Sequence, residues 1–367
     1  MVPELEREWD VDLIALPADT FDAGGAPARR RTPWRRVASA ALRAVLFDKW
    51  EPWSFRRLRR WVPDVDGALL VGYPWSPVAY AAQRLRRAGV PYVVDAGDPW
   101  TLTGREAATR LLAHRRAQRA ERRLWLGAAG AIVTTPHQRD RLKALFPELR
   151  TLVRPNGYIP TAPAEAAPGG ESPRDRSTLR LVHFGQLSDV RLDIVPFLTE
   201  LGQSGRWSSV EFVQFGDDYV GMLEAVPPEI GVERHAVRPW EEILALAPTF
   251  DLAVVVGHRS GLQLASKTIQ YQSLPIPRLA LTGGWPDDAL AAYVTDRPGW
   301  LIVPTGQPDA AGLVWEHVHR RWSTDDLRAP EGDSWPRVAE EISGFISDCV
   351  ARAVAVRTGG LKPRPGR

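Results

Sequence analysis

Leu179-Arg180-Leu181-Val182-His183-Phe184-Gly185-Gln186-Leu187 is an apolar run that stops at a glycine, and a helical stretch centred near residue 197 follows it. A strand, a glycine and then a helix make the first half of a βαβ unit. The missing side chain of Gly185 is where a phosphate can approach the backbone. A lone glycine in that place is also an ordinary turn, so the rest of the chain has to decide.

Working outward, the same alternation repeats. Downstream, Val210–Phe215, Leu252–Val256, Arg278–Leu281 and Leu301–Val303 read as strands, separated by helices centred near residues 243, 270, 290 and 316. Upstream, strands are expected at Val11–Leu16, Ala68–Gly72, Tyr92–Asp95, Ala131–Thr134 and Leu152-Val153. Helices are expected from about Pro77 to Gly89, Gly104 to Leu126 and Gln138 to Leu145. Strands and helices alternating at these lengths predict parallel sheets covered on both faces. Thr161 to Ser177 is rich in Pro, Ala, Gly and Ser without apolar periodicity, and reads as a linker. The expected organisation is therefore a domain over 1–158, a linker over 159–178 and a second domain over 179–334. A helix over 335–357 then has room to return to the first domain, and 358–367 is a disordered tail.

A chain of 367 residues suits two domains. It is 44% hydrophobic and 25% charged, as ordinary globular proteins are, and its one cysteine, Cys349, excludes an internal disulfide or a cysteine-rich metal cluster. No apolar run approaches the roughly 20 residues of a membrane span, which points to a cytoplasmic protein. The net charge of +3 hides an asymmetry. Residues 1–158 carry 27 Lys and Arg against 17 Asp and Glu, and the remainder 20 against 27. The first part therefore has a net charge of +10 and the second of −7. Arg29 to Trp61 concentrates ten arginines with Trp34, Trp50, Trp53 and Trp61. Such a segment is either a solvated helix with packed tryptophans or an attachment to an anionic membrane at its inner face. No nucleic-acid motif accompanies it, so nucleic acid is not an expected partner.

Several stretches resemble, in order, the family 4-type glycosyltransferases. Val93-Val94-Asp95-Ala96-Gly97-Asp98-Pro99-Trp100 is similar to that family's strand and aspartate-proline-aromatic loop. Glu121-Arg122-Arg123-Leu124, then Ala131-Ile132-Val133-Thr134-Thr135, resemble its acidic helix and next strand. Arg154-Pro155-Asn156-Gly157 matches the turn closing its N-terminal domain. His183-Phe184-Gly185-Gln186-Leu187, with Arg191 further on, resembles the first strand and phosphate loop of the donor domain. Ser266-Lys267-Thr268-Ile269-Gln270-Tyr271 through Pro275 resembles a serine-lysine segment of one branch. The likeness spans roughly residues 8–350. It implies two facing doubly wound, Rossmann-like domains (the GT-B fold) and transfer of a sugar from a nucleotide-diphosphate donor with retention of configuration.

Two departures stand out. Members usually carry an additional strand, glycine-rich loop and helix before the segment equivalent to Val11–Leu16, so the first βα unit is expected to be missing. Members also commonly have glutamates where this chain has Leu262 and Gln270.

In such a transfer the leaving diphosphate develops negative charge, which cations and backbone donors must stabilise where no metal does. Lys267, at an expected helix start after the irregular Arg259–Ala265, suits that task, and Ser266 is the expected N-cap. Arg191 can fork two phosphate oxygens, and Gly185 admits the phosphate to the backbone. The resemblance adds Ser266 and Gln270 to this donor-binding set. Against it stands the reading of Lys267 and Arg191 as surface cations. Gly216 to Asp218 reads as a solvated turn. Asp98 follows a strand end and is the candidate catalytic residue, accepting the acceptor's proton or orienting it; a capping role is its alternative. Asp95 is expected to satisfy local backbone groups, and Glu121 to be structural. The seven histidines show no zinc-ligand spacing, so no metal and no cofactor is expected, only the nucleotide sugar as co-substrate. Neither a P-loop nor a G-x-S-x-G motif occurs.

The reading is a metal-independent, hexosyltransferase-type glycosyltransferase whose acceptor is a glycan, a lipid-linked glycan or a small molecule. One alternative is a non-catalytic homologue acting as a binding or partner subunit, favoured by Gln270 and the short N-terminus. Another is a nucleotide-sugar epimerase.

Overall fold

The computed structural model describes residues 64–72, 75–97, 111–160 and 177–358. The strand expected at Val11–Leu16, the arginine- and tryptophan-rich segment from Arg29 to Trp61, and Asp98 lie outside them. So do residues 161–176 of the expected linker and 359–367 of the expected tail. The chain divides into two compact units, one formed by Met1–Arg154 with Ala339–Arg367 and the other by Pro155–Val338.

In the first unit the described elements are β1 (Ala68–Val71), α1 (Trp75–Ala88), β2 (Tyr92–Ala96), α2 (Leu111–Gly127), β3 (Gly130–Val133), α3 (Pro136–Leu145) and β4 (Thr151–Val153). The strands pair in parallel in the order β1-β2-β3-β4. Alternate residues of β2 and β3 (Tyr92, Val94, Ala131 and Val133) bury with Trp75, Leu85, Leu124 and Leu142 of the helices. Tyr92 fits there because its hydroxyl donates to the Leu124 carbonyl at 2.9 Å. Thr135 starts α3 with a capping box, its hydroxyl accepting from the Gln138 N–H at 3.2 Å and the Gln138 side chain accepting in return. The other face of the sheet is met by the C-terminal helix. Any Cβ at Gly130 would lie 2.6 Å from the sulfur of Cys349.

The second unit contains β5 (Thr178–Phe184), α4 (Val195–Gln203), β6 (Ser209–Phe215), β7 (Ile230–His235), α5 (Trp240–Leu246), β8 (Leu252–Val256), α6 (Lys267–Tyr271), β9 (Arg278–Thr282), α7 (Ala289–Val294), β10 (Trp300–Pro304), α8 (Ala310–His319) and α9 (Thr324–Leu327). Its six strands are parallel, in the order β10-β9-β8-β5-β6-β7. The chain winds outward from β5 to β7, returns to the far side of β5 as β8, and winds outward again. That is a doubly wound sheet with its switch point between β5 and β8. Both faces are apolar, as such a sheet requires. Leu179, Leu181, Phe212, Val254 and Leu281 pack with Phe197, Leu198 and Val314 on one face. Val182, Phe184, Val213, Val255 and Ala280 pack with Ile243, Ile269 and Leu290 on the other.

The expected α/β class, two parallel sheets with alternating helices, is the one observed, with one strand missed among the described residues. β7, Ile-Gly-Val-Glu-Arg-His, lies at the sheet edge, with Glu233 and Arg234 exposed and only Ile230 fully buried. It therefore lacks the continuous apolar run that marks its neighbours. Helix α10 (Trp335–Arg357) ends the described chain.

Candidate functional site

Open α/β sheets bind ligands outside the carboxyl ends of the strands, at the switch point. Here that place is defined by how β5 and β8 part. β5 pairs with β6 from Thr178↔Ser209 through Phe184↔Phe215, but with β8 only at Leu181↔Leu252 and Val182↔Ala253. Beyond that, two side chains take over the ladder. The His183 ring bonds through Nδ1 to the Val254 carbonyl at 2.8 Å, and the Phe184 N–H donates to the Tyr271 hydroxyl at 2.6 Å. A carbonyl only accepts, so His183 Nδ1 carries the proton and Nε2 is the bare acceptor. Nε2 is buried without a partner. Burial, with the Arg191 and Lys267 charges as smaller causes, holds the imidazole down to about pKa 4. Burial likewise raises the Tyr271 hydroxyl.

Gly185 follows directly. Its N–H donates to the Phe215 carbonyl at 2.9 Å, and its own carbonyl accepts from Gln214 Nε2 at 2.6 Å. Gly216 stands beside it at φ 127°, where a Cβ would come within 2.2 Å of the Gly185 carbonyl oxygen. Only glycine fits there. The loop after β6 is laced to the loop after β5, with Leu187 N–H donating to Asp217 O and Tyr219 N–H to Leu187 O, both at 2.9 Å. Asp218 accepts from the N–H groups of Met222 and Leu223 at 3.0 and 2.8 Å. This carboxylate is a local cap, in keeping with the turn reading.

Arg191 is brought to the same end of the sheet. It bridges His258 in antiparallel fashion, its carbonyl accepts from Arg259 Nε at 2.7 Å, and Leu192 N–H donates to Gly257 O at 3.0 Å. Its guanidinium reaches the Val256 carbonyl at 3.4 Å, at the end of β8. Lys267 opens α6 and is half-buried, with no hydrogen bond or ion pair among the described residues. Burial lowers its pKa. Gly185, Arg191 and Lys267, separated by up to 82 positions in sequence, thus share the surroundings of His183: a Cβ at Gly185 would lie 3.0 Å from its Nε2, and the two charges help to lower its pKa. Gln270, half-buried on α6, gives its carbonyl to Ser273.

Ser266 departs from expectation. Its backbone is already helical, at φ −54° and ψ −33°, and its side chain caps nothing; the turn is closed instead by Thr268 N–H donating to Ala265 O at 2.8 Å. An N-cap needs extended backbone for its oxygen to reach back. Asp95 also differs. Among the described residues no backbone group donates to its carboxylate, and burial pushes its pKa up to about 6. Glu121 is buried on α2. Sequence reasoning missed the His183–Tyr271 pair: both residues stand in stretches that resemble the family, but they lie 88 positions apart and nothing in either stretch says that their side chains meet. Among the described residues no group of three or more His, Cys, Asp and Glu is arranged to hold a metal ion, and no helix is long and apolar enough to cross a membrane.

The glycosyl transferase 4-like domain family matches residues 1–157. No curated protein matches the sequence. Among solved structures, Anabaena HepE in complex with UDP is 15% identical over 80% of this chain and 79% of its own, with a TM-score of 0.51. TarM from S. aureus, in complex with fondaparinux, alpha-GlcNAc-glycerol and UDP, is 15% identical over 82% of this chain but only 57% of its own, with a TM-score of 0.52. At these identities the likeness is one of fold.

Proposed function

We propose, from the match of residues 1–157 to the glycosyl transferase 4-like family and from the two parallel sheets, a retaining, metal-independent transfer of a sugar from a nucleotide diphosphate. The observation that carries the donor site is Lys267. A half-buried ammonium with no anionic partner among the described residues, whose charge acts on His183 together with that of Arg191, supports the reading of a diphosphate site. Burial of an unpaired cation costs stability, and a dianionic ligand recovers it. On this reading Lys267 and Arg191 neutralise the leaving diphosphate, and the missing side chain of Gly185 lets its oxygens come close to the backbone. Asp98, two positions beyond β2 in the sequence, is assigned to the acceptor hydroxyl. The acceptor is a glycan, a lipid-linked glycan or a small molecule.

Leu262 and Gln270, where members commonly have glutamates, favour the second reading of a binding homologue without turnover. One set of measurements separates the two. The chain is assayed for transfer and donor hydrolysis with a panel of nucleotide sugars, with and without EDTA, and its nucleotide affinity is followed by calorimetry. Lys267→Ala is expected to weaken nucleoside-diphosphate binding by about 30–150-fold, the loss of a charge-assisted contact of about 2–3 kcal/mol. Turnover that survives EDTA supports the metal-independent enzyme, and binding without turnover the homologue. Unchanged affinity in folded Lys267→Ala removes the lysine from the site.

A further inference from the structure

The exposed large hydrophobic side chains of the second unit are not scattered. Val190 follows β5, Tyr219 and Val220 follow β6, Val237 follows β7 and Trp285 follows β9, all beyond carboxyl ends of strands; Ile159 is the exception among the described residues. Single exposed apolar residues need no explanation, but a set of them beyond the carboxyl ends of the strands, where such sheets bind ligands, does.

Trp285 is the most elaborately built of these. It is 54% exposed, yet its five-membered ring is seated on backbone. A Cβ at Gly283 would lie 2.5 Å from the indole Nε1, and one at Gly261 would lie 2.6 Å from Cδ1. Gly261 also has φ 66°. Both glycines are fixed in turn. The buried Asp288 accepts from the Gly283 N–H at 3.1 Å, and the Gly261 carbonyl accepts from the Ala289 N–H at 2.6 Å. Chain geometry thus holds a large apolar ring at the surface, where its own burial contributes little. The mounting is hydrogen-bonded to the donor loops, since the segment carrying Gly261 is tied through Arg259 N–H to Val190 O at 2.9 Å and through Gly257 O to Leu192 N–H.

We propose that Trp285 is a stacking platform for the sugar ring of the donor. The inference rests on the reading of this unit as a nucleotide-sugar site and adds the subsite that reads the sugar. In a nucleotide sugar the diphosphate has the nucleoside on one side and the sugar on the other. Trp285 lies on the β9 side of the switch point, and Tyr219 with Gln186, bonded at 3.2 Å, lies on the β6 side. A pyranose presents a face of C–H bonds, weakly positive, to the negative face of an indole, while its hydroxyls remain at the edge for polar groups.

The test is calorimetric titration of the full chain with matched pairs: UDP and UDP-glucose, GDP and GDP-mannose, ADP and ADP-glucose. For the pair that wild type binds, Trp285→Ala should lower affinity for the sugar conjugate by about tenfold and leave the diphosphate within about twofold. Trp285→Phe should retain most of the conjugate affinity. Gly283→Ala, which displaces the ring, should reproduce the loss in the wild-type background and add nothing to Trp285→Ala. An unchanged conjugate affinity in Trp285→Ala overturns the platform. An equal loss for conjugate and diphosphate overturns the sugar assignment and gives the ring to the nucleotide. A wild type that binds no member of any pair rejects the nucleotide-sugar reading itself, a separate result.

Discussion

At the scale of single residues, the switch point shows how a side chain can substitute for a strand. His183 and Tyr271 occupy the gap where β5 and β8 separate, and they supply backbone partners that the ladder no longer provides. The arrangement needs a neutral imidazole, which gives it a pH signature. The folded-state pKa of His183 is about 4, below the 6.5 of an unperturbed histidine. Between those values the unfolded chain binds a proton that the folded chain refuses. The contribution is therefore fully present above pH 6.5 and is lost as pH falls toward 4. A shift of this size corresponds to about 3 kcal/mol at most. His317, also held at about 4 by burial, adds a slope of the same sign. Urea unfolding of wild type and His183→Asn at pH 7, 5.5 and 4.5 checks this. The variant should lose stability less steeply with acidification, and parallel pH profiles would show that His183 takes up its proton without unfolding.

Among the elements, α7 and its entry turn are held together by one carboxylate. Asp288 caps α7 by accepting from Leu290 N–H at 2.9 Å and Ala291 N–H at 3.1 Å through one oxygen, and its other oxygen holds Gly283. Asp288→Ala removes a cap and leaves a third N–H without its acceptor, so it should cost about 2–3 kcal/mol in urea unfolding. Asp288→Asn keeps one carbonyl oxygen for the cap and should cost less, about 1 kcal/mol, by losing the Gly283 bond. Equal losses would mean that the cap, not the Gly283 contact, is dispensable. None of this is readable from the sequence, where Gly283-Gly284-Trp285-Pro286 announces a turn but not what the turn supports. What was legible follows the same physics. Strands buried on both faces, such as Leu252–Val256, are continuous apolar runs; the edge strand β7 is not, and it went unseen. Ser266 before Lys267 has the composition of an N-cap, but capping depends on backbone angles that composition does not specify.

At the scale of the whole molecule, the sequence exposes something that no single element does, namely the charge difference between its two parts. Residues 1–158 carry +10 and the remainder −7. The tryptophans interleaved with arginines between Arg29 and Trp61 lie outside the described residues, so their reading rests on chemistry alone. A basic surface with interfacial aromatics suits an anionic bilayer, and a lipid-linked acceptor would be met there. Each arginine near such a surface contributes about 1 kcal/mol of attraction, so Arg56/Arg57/Arg59/Arg60→Ser together should abolish most of the binding. Screening offers an independent check. The Debye length shortens to about 10 Å at 0.1 M and about 3 Å at 1 M, so electrostatic attachment must weaken as salt rises, whereas insertion of apolar side chains would not. Co-sedimentation should therefore show wild type on anionic vesicles at low salt, little of it at high salt or on neutral vesicles, and little of the variant anywhere. Sedimentation of wild type that persists at high salt assigns the attachment to the tryptophans rather than the arginines. Equal recovery of both proteins under all conditions leaves the arginines as solvated surface, and the acceptor of the proposed transfer is then to be sought among soluble glycans and small molecules.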